Sequence, residues 1–158
     1  MIAGWLGRYI GSDAPQGEEP IEHVRVMETG AGKFQNAVQA GRHRLFADEP
    51  ASVGGLDTGP SPYDLLSAAL GACTAMTLRL YAERKQIELG RVQVDVSHEK
   101  IHVRAGKIDC FTRVISVEGE VPGELAGKIV EIAGKCPVHR TLENGSQIRT
   151  EVRRTAED

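Results

Sequence analysis

Residues 61–80, SPYDLLSAALGACTAMTLRL, decide the reading of this chain. No residue from Leu65 to Leu78 carries a formal charge, and Ala68, Ala69, Gly71, Ala72 and Ala75 surround one thiol, Cys73, with side chains small enough for other backbone to approach. Ser61 and Asp64 have the spacing of a capping box, and Pro62 suits the first helical position. The stretch predicts a helix starting at Ser61 and running to about Lys85, with Arg79, Glu83, Arg84 and Lys85 confined to its last turns. A helix apolar on all sides must be covered on all sides. One antiparallel sheet of this length covers a single face, so a second copy of the chain is the economical cover and a homodimer is expected.

Upstream, EHVRVMETG (22–30), KFQNAVQAG (33–41) and RHRLFADEP (42–50) alternate and are punctuated by glycine, the pattern of a β-meander. Residues 51–62, ASVGGLDTGPSP, read as a loop. Downstream, VQVDVSHEKIHVR (92–104) and KIDCFTRVISVEGE (107–120) are long alternating runs on either side of an Ala105–Gly106 turn and predict a hairpin. A second helix is expected from about Gly123 to Lys135, with Leu125, Ile129 and Ile132 on one buried face. After a short helical turn at CPVHRTLEN (136–144), SQIRTEVR (146–153) alternates again and predicts a strand returning to an existing sheet. Strands, long helix, strands, helix, strand is an α+β order. Residues 1–20, ending in the turn-forming, acidic GSDAPQGEEP, are expected to be a loose appendage, leaving 21–158 as one domain.

Composition narrows the function classes. A chain of 158 residues, 41% hydrophobic and 26% charged, fits a single globular domain, and a net charge of −3 gives no basic patch for nucleic acid. The first residues lack a basic n-region, and their apolar residues are broken by Gly4, Gly7 and Arg8, so a secretory signal is not expected and the cytoplasm is. The apolar run around Cys73 reads as too short and too rich in Ser and Thr for a bilayer, which needs about 20 apolar residues. Three cysteines, an odd count, argue for reduced thiols over a disulfide framework.

The second thiol of interest is Cys136, in GKCPVHRTL, where the following proline marks the start of a helix and brings the sulfur near exposed backbone N–H groups. His139 lies one helical turn further on. Cys110, in IDCFTR, reads as a structural strand residue. An attacking thiol has an ordinary pKa of about 8.5 and needs a cation or helix dipole to ionise near neutrality; the sulfenic acid formed on oxidation needs a nearby thiol before it oxidises further.

The pairing of PSPYDLLSAALGACTAMTL with KCPVHRTL, across a hairpin and an amphipathic helix, resembles the OsmC/Ohr family of osmotically inducible and organic hydroperoxide resistance proteins. The resemblance covers about residues 22–152 and is nearest to a subgroup carrying GRHxLxADEP, here Gly41–Pro50, followed by GPSPYDLL. It implies an OsmC-like fold, two antiparallel-rich sheets around a long central helix in an intertwined homodimer, with active sites at the subunit interface. It also implies a thiol peroxidase that needs no cofactor or metal. Cys73 would attack an organic hydroperoxide and become a sulfenic acid, Cys136 would resolve it as a disulfide, and a dithiol reductant, possibly a lipoylated protein, would reduce the disulfide. The two positions are 136 − 73 = 63 residues apart, so only tertiary structure can join them.

The family glutamate, ten residues before the reactive cysteine and paired with an arginine from the N-terminal strands, falls on Tyr63 here. Asp64, or Asp48 and Glu49 of ADEP, are candidates for the carboxylate, although Asp64 also serves as a helix cap. Lys33, in TGAGKF, falls near the family arginine but lacks its planar fork; Arg42 and Arg44 are rivals, and His43 points to the opposite strand face. Two other readings stay open. One is a non-catalytic module binding a small lipophilic ligand at the dimer interface, and the other is zinc held by Cys73, Cys136, His139 and His43.

Overall fold

Three strands open the described part of the chain, residues 20–153 of a computed structural model. β1 (Val24–Glu28), β2 (Asn36–Ala40) and β3 (His43–Ala47) form an antiparallel meander in chain order. Val26 pairs with Val38, and Val38 with Leu45, as the alternation of each segment requires. Gly41 and Arg42 make the two-residue turn between β2 and β3, with Gly41 at φ +60°, a conformation open to glycine at little cost. The appendage expected at residues 1–20 lies, but for Pro20, outside the described residues.

The chain divides into two compact units, one ending at Leu66 and the next beginning at Ser67. The first is closed by a loop organised around Asp48. That side chain is buried, and its two oxygens accept from the backbone N–H groups of Glu49, Leu56 and Thr58 and from the Thr58 hydroxyl. Gly55 and Gly59 allow the loop to close, since a Cβ at either would overlap the carbonyl of Glu49 or Phe46.

α1 (Pro62–Lys85) starts where the sequence predicts. The capping box is formed: the Ser61 N–H and hydroxyl both donate to Asp64 Oδ2, at 2.9 and 2.7 Å, and the Asp64 N–H reaches Ser61 Oγ at 3.3 Å. At 24 residues the helix is long and apolar enough to cross a membrane by length and composition, so shortness is no argument against a span. In the second unit its buried positions Leu70, Gly71, Thr74, Leu78 and Ala82 recur along one face and pack inside the protein.

β4 (Val92–Val103) and β5 (Gly106–Val117) form the expected hairpin, in register from Val92 opposite Val117 to Val103 opposite Gly106. The turn is Arg104–Ala105, one residue earlier than expected, because Gly106 at φ +128° already belongs to β5. α1 lies against β4 at Gly71, where an added Cβ would meet Val96 Cγ2 at 3.4 Å, an ordinary contact distance. Arg79 ties α1 to the loop before the hairpin, donating to the carbonyls of Leu89 and Gly90 at 2.7 and 2.8 Å.

α2 (Gly123–Ala133) brings Ile129 and Ile132 against Leu78, with Tyr81, Val92, Ile115 and Leu125 packed around them. It ends two residues before the expected Lys135. The chain tightens through Lys135 N–H to Ile132 O and Cys136 N–H to Ala133 O, and a proline at 137 disfavours helical backbone at Cys136. α3 (Pro137–Asn144) follows at once.

The strand expected at 146–153 is not formed. These residues have no regular structure, and Ile148 and Val152 stand 88% and 92% exposed. A strand exists only beside a hydrogen-bonding neighbour, and among the described residues none pairs with this segment, although β4 and β5 each keep an open outer edge. The architecture is α+β, with two small antiparallel sheets and three α-helices among the described residues.

Candidate functional site: a dithiol on the arginine side of the hairpin

Cys73 and Cys136 adjoin. Both are free thiols, and their side chains lie within hydrogen-bonding reach of one another. α1 presents Cys73, half-buried, in the third turn after Leu65. Cys136 is fully buried at the N-cap of α3, with Pro137 in the first turn. Its side chain makes no formal capping bond, yet the Val138 and His139 N–H groups face the sulfur.

The environment separates the two thiols. Burial pushes the Cys73 thiol up, and donating its proton to Cys136 pushes it further. Burial would also raise Cys136, but the Cys73 proton, the His139 and Val138 N–H groups and the Thr74 hydroxyl outweigh it and hold that thiol below the ordinary range. The sequence places the need for a stabilising charge at Cys73; in the structure Cys73 receives the Val138 N–H and the Thr77 hydroxyl, and Cys136 the Val138 and His139 N–H groups and the Thr74 hydroxyl.

Behind the pair stands Arg113 of β5, a residue the sequence reading passes over. One terminal nitrogen, Nη1, donates to Thr74 Oγ1 at 2.8 Å and to the Ala133 carbonyl at 3.1 Å; the other, Nη2, lies 3.1 Å from His139 Nδ1. Thr74 is fully buried. A signal for Arg113 was present in the alternation, since it shares its strand face with Phe111, Ile115 and Val117, all half-buried. A charged residue on an apolar strand face requires partners. His139 in turn sits 3.3 Å from Glu143 through Nε2.

The other candidates fall in different places. Lys33 Nζ lies 4.8 Å from the centroid of the Phe34 ring, in the loop between β1 and β2. Arg42 and His43 are exposed at the β2–β3 turn. Asp48 holds its own loop together, Glu49 is half-buried beside it, Asp64 caps α1, and Tyr63 is 41% exposed in the first turn of α1. All of these belong to the first unit, whereas Cys73, Cys136, Thr74, Arg113 and His139 belong to the second. Cys110 is half-buried on β5, opposite Glu99. Among the described residues no three metal-ligating side chains converge.

Residues 55–151 match the family described as OsmC-like protein. The chain belongs to that family. No curated protein matches the sequence. This OsmC-like protein shares its fold with an organic hydroperoxide resistance protein from Elizabethkingia anophelis, at 20% identity and a TM-score of 0.61 over 82% of this chain and 93% of that one. It is likewise similar to the organic hydroperoxide resistance protein OsmC from Legionella pneumophila, at 19% identity and a TM-score of 0.59 over 78% and 88% of the two chains. A third likeness is to the organic hydroperoxide resistance protein OhrB of Bacillus subtilis, at 24% identity and a TM-score of 0.54 over 75% and 87%.

Proposed function

We propose that this OsmC-like protein is a cytoplasmic, cysteine-dependent peroxidase that reduces organic hydroperoxides and serves in hydroperoxide resistance. The observation that carries the reading is the meeting of Cys73 and Cys136, 63 positions apart in sequence, in one hydrogen-bonded pair. The hydroperoxide resistance proteins that share the fold point to the same chemistry.

Cys73, the half-exposed member, is the peroxidatic thiol. Its sulfur attacks the terminal oxygen of the hydroperoxide and the O–O bond breaks. The departing alkoxide takes up the thiol proton and leaves as the alcohol, and Cys73 becomes a sulfenic acid. The Cys136 thiolate then attacks the Cys73 sulfur, expels hydroxide and forms the disulfide, so the dithiol is oxidised by two electrons as the peroxide is reduced. An external dithiol, of the lipoyl type, returns the pair to the reduced state by exchange.

The working form is a homodimer. Leu66, Ala69, Cys73, Met76 and Leu80 follow one another at spacings of three, four, three and four, the seam pattern by which two helices pack. Leu66, Met76 and Leu80 stand 42%, 71% and 47% exposed. Cys73 lies on that seam, so a second subunit packed there would enclose the peroxide site in apolar surface, suited to a lipophilic substrate.

The test is mass spectrometry after one equivalent of cumene hydroperoxide, with stopped-flow consumption of the peroxide alongside. A crosslink between residues 73 and 136 is expected, together with loss of rapid turnover in Cys73→Ser. Turnover by Cys73→Ser equal to the parent's would leave a ligand-binding module as the better reading.

A further inference from the structure

We propose that Arg113 is a positioning residue for the two thiols: it ties the chain beside Cys73 to the chain on both sides of Cys136, and so sets how readily the pair closes as a disulfide. Thr74 follows Cys73 on α1 and is fully buried, and its Oγ1 accepts from Arg113 Nη1 at 2.8 Å. The same nitrogen donates to the Ala133 carbonyl at 3.1 Å. That carbonyl also accepts the Cys136 N–H at 3.3 Å, so the guanidinium and the Cys136 backbone share one oxygen, which has two lone pairs. Nη2 lies 3.1 Å from Nδ1 of His139, in the first turn of α3.

α3 needs such a tie. None of its eight residues is fully buried, so core packing does little to fix the helix that begins after Cys136. β5 is the firm support: it pairs with β4 along its whole length, and Ile115 and Val117, on the face that carries Arg113, pack against Leu78, Ile129 and Ile132. The three acceptors of Arg113 are a hydroxyl, a carbonyl and an imidazole nitrogen, each from a different segment. Neutral acceptors give a half-buried cation no ion-pair energy; what a rigid planar fork gains from them is a fixed geometry. A disulfide closes only where the Cα atoms come within about 4.4–6.8 Å and the side chains align. Segments held in that relation beforehand react at a high effective concentration, and a misplacement of about 1 Å can cost about a hundredfold.

For the peroxidase reading, on which this consequence rests, the clamp hastens the attack of Cys136 on the Cys73 sulfenic acid. Without it the sulfenic acid persists, and a second hydroperoxide oxidises it to the sulfinic acid while leaving as the alcohol.

The experiment leaves hydroperoxide out. Reduced protein carrying Cys110→Ser is equilibrated in graded mixtures of glutathione and glutathione disulfide, and mass spectrometry after alkylation counts the free thiols. Two electrons and two protons pass from Cys73 and Cys136 to glutathione disulfide, giving the 73–136 disulfide and two glutathione thiols. Arg113→Gln should lower that equilibrium constant by roughly tenfold or more, and so should Arg113→Lys, which keeps the charge and loses the fork. Arg79→Gln is the control, since Arg79 holds α1 to the Leu89 and Gly90 carbonyls and not to either cysteine segment. Its loss should lower the urea midpoints of the dithiol and disulfide forms alike and leave the glutathione equilibrium in place, as any purely structural tie would. Should the Arg113 variants fail to fold, His139→Leu, which takes one acceptor from the fork, is read in their place and should shift the equilibrium in the same direction. A parent-like equilibrium in whichever of these variants folds, or an equal fall in Arg79→Gln, overturns the proposal, as does a parent that forms no 73–136 disulfide. A parent that closes the disulfide with glutathione yet leaves cumene hydroperoxide unconsumed would overturn the peroxidase reading alone.

Discussion

The guanidinium of Arg113 lies 3.1 Å from Nδ1 of His139, and since arginine only donates, the imidazole accepts there and carries its proton on Nε2, 3.3 Å from Glu143. Both ring nitrogens are then engaged, and the ring is fixed beside the start of α3. Nitrogen NMR of selectively labelled histidine should find the Nε2–H tautomer for His139 wherever the ring is neutral. An Nδ1–H tautomer would show that the Arg113 contact is not made in solution.

Asp48 supplies a prediction about stability and acid. Burial raises its carboxyl, but bonds from the Thr58 hydroxyl and from the N–H groups of Glu49, Thr58 and Leu56 prevail and hold it below the ordinary carboxylate range. The unfolded carboxyl titrates near about 3.9, so the folded state binds its proton less readily. The stabilisation is fully present above that value and is lost as pH falls through the lower folded pKa. Asp48→Asn should unfold at a lower urea concentration than the parent at neutral pH, and the two midpoints should converge in acid. A constant gap down to the lowest pH at which both fold would mean that the carboxylate charge contributes nothing.

Leu78 is 1% exposed and joins α1 to Ile129 and Ile132 of α2. Truncating a leucine at such a site removes its transfer free energy and leaves a cavity, a loss of about 2–5 kcal/mol. Leu78→Ala should lose that much in urea unfolding at fixed protein concentration. A loss under about 1 kcal/mol would place Leu78 outside the load of the core.

Much of this was legible because local chemistry and tertiary structure agree. Ser61, Pro62 and Asp64 mark the start of α1, and the alternation of Val92, Val94 and Val96 marks β4. Pro137 marks α3 just as plainly. The two cysteines were found through the residues around them. Arg113 escaped because its neighbours Phe111 and Ile115 make the strand read as ordinary core, and nothing local names Thr74 or His139 as its partners across 39 and 26 residues. The segment 146–153 misled in the opposite sense: alternation records a preference for pairing, and among the described residues the segment lies beside none of the open edges that β1, β3, β4 and β5 offer.

Met76 carries the last prediction. It is 71% exposed at the middle of the seam formed by Leu66, Ala69, Cys73 and Leu80, in a helix whose opposite face packs into the core through Leu70, Thr74 and Leu78. If two copies of α1 pack along that seam, a glutamate at position 76 places a charge among apolar side chains, where removing one from water without a partner costs several kcal/mol. Met76→Glu should therefore raise the dimer dissociation constant by tenfold or more in sedimentation at graded concentrations, while circular dichroism stays that of a folded protein, because residue 76 contributes nothing to the inner face. Separation of the subunits should also uncover Cys73, its neighbour by three positions, and accelerate its alkylation by iodoacetamide relative to the parent. A parent protein that sediments as a monomer throughout the micromolar range would remove the seam from the argument and leave Cys73 open to solvent in the native state.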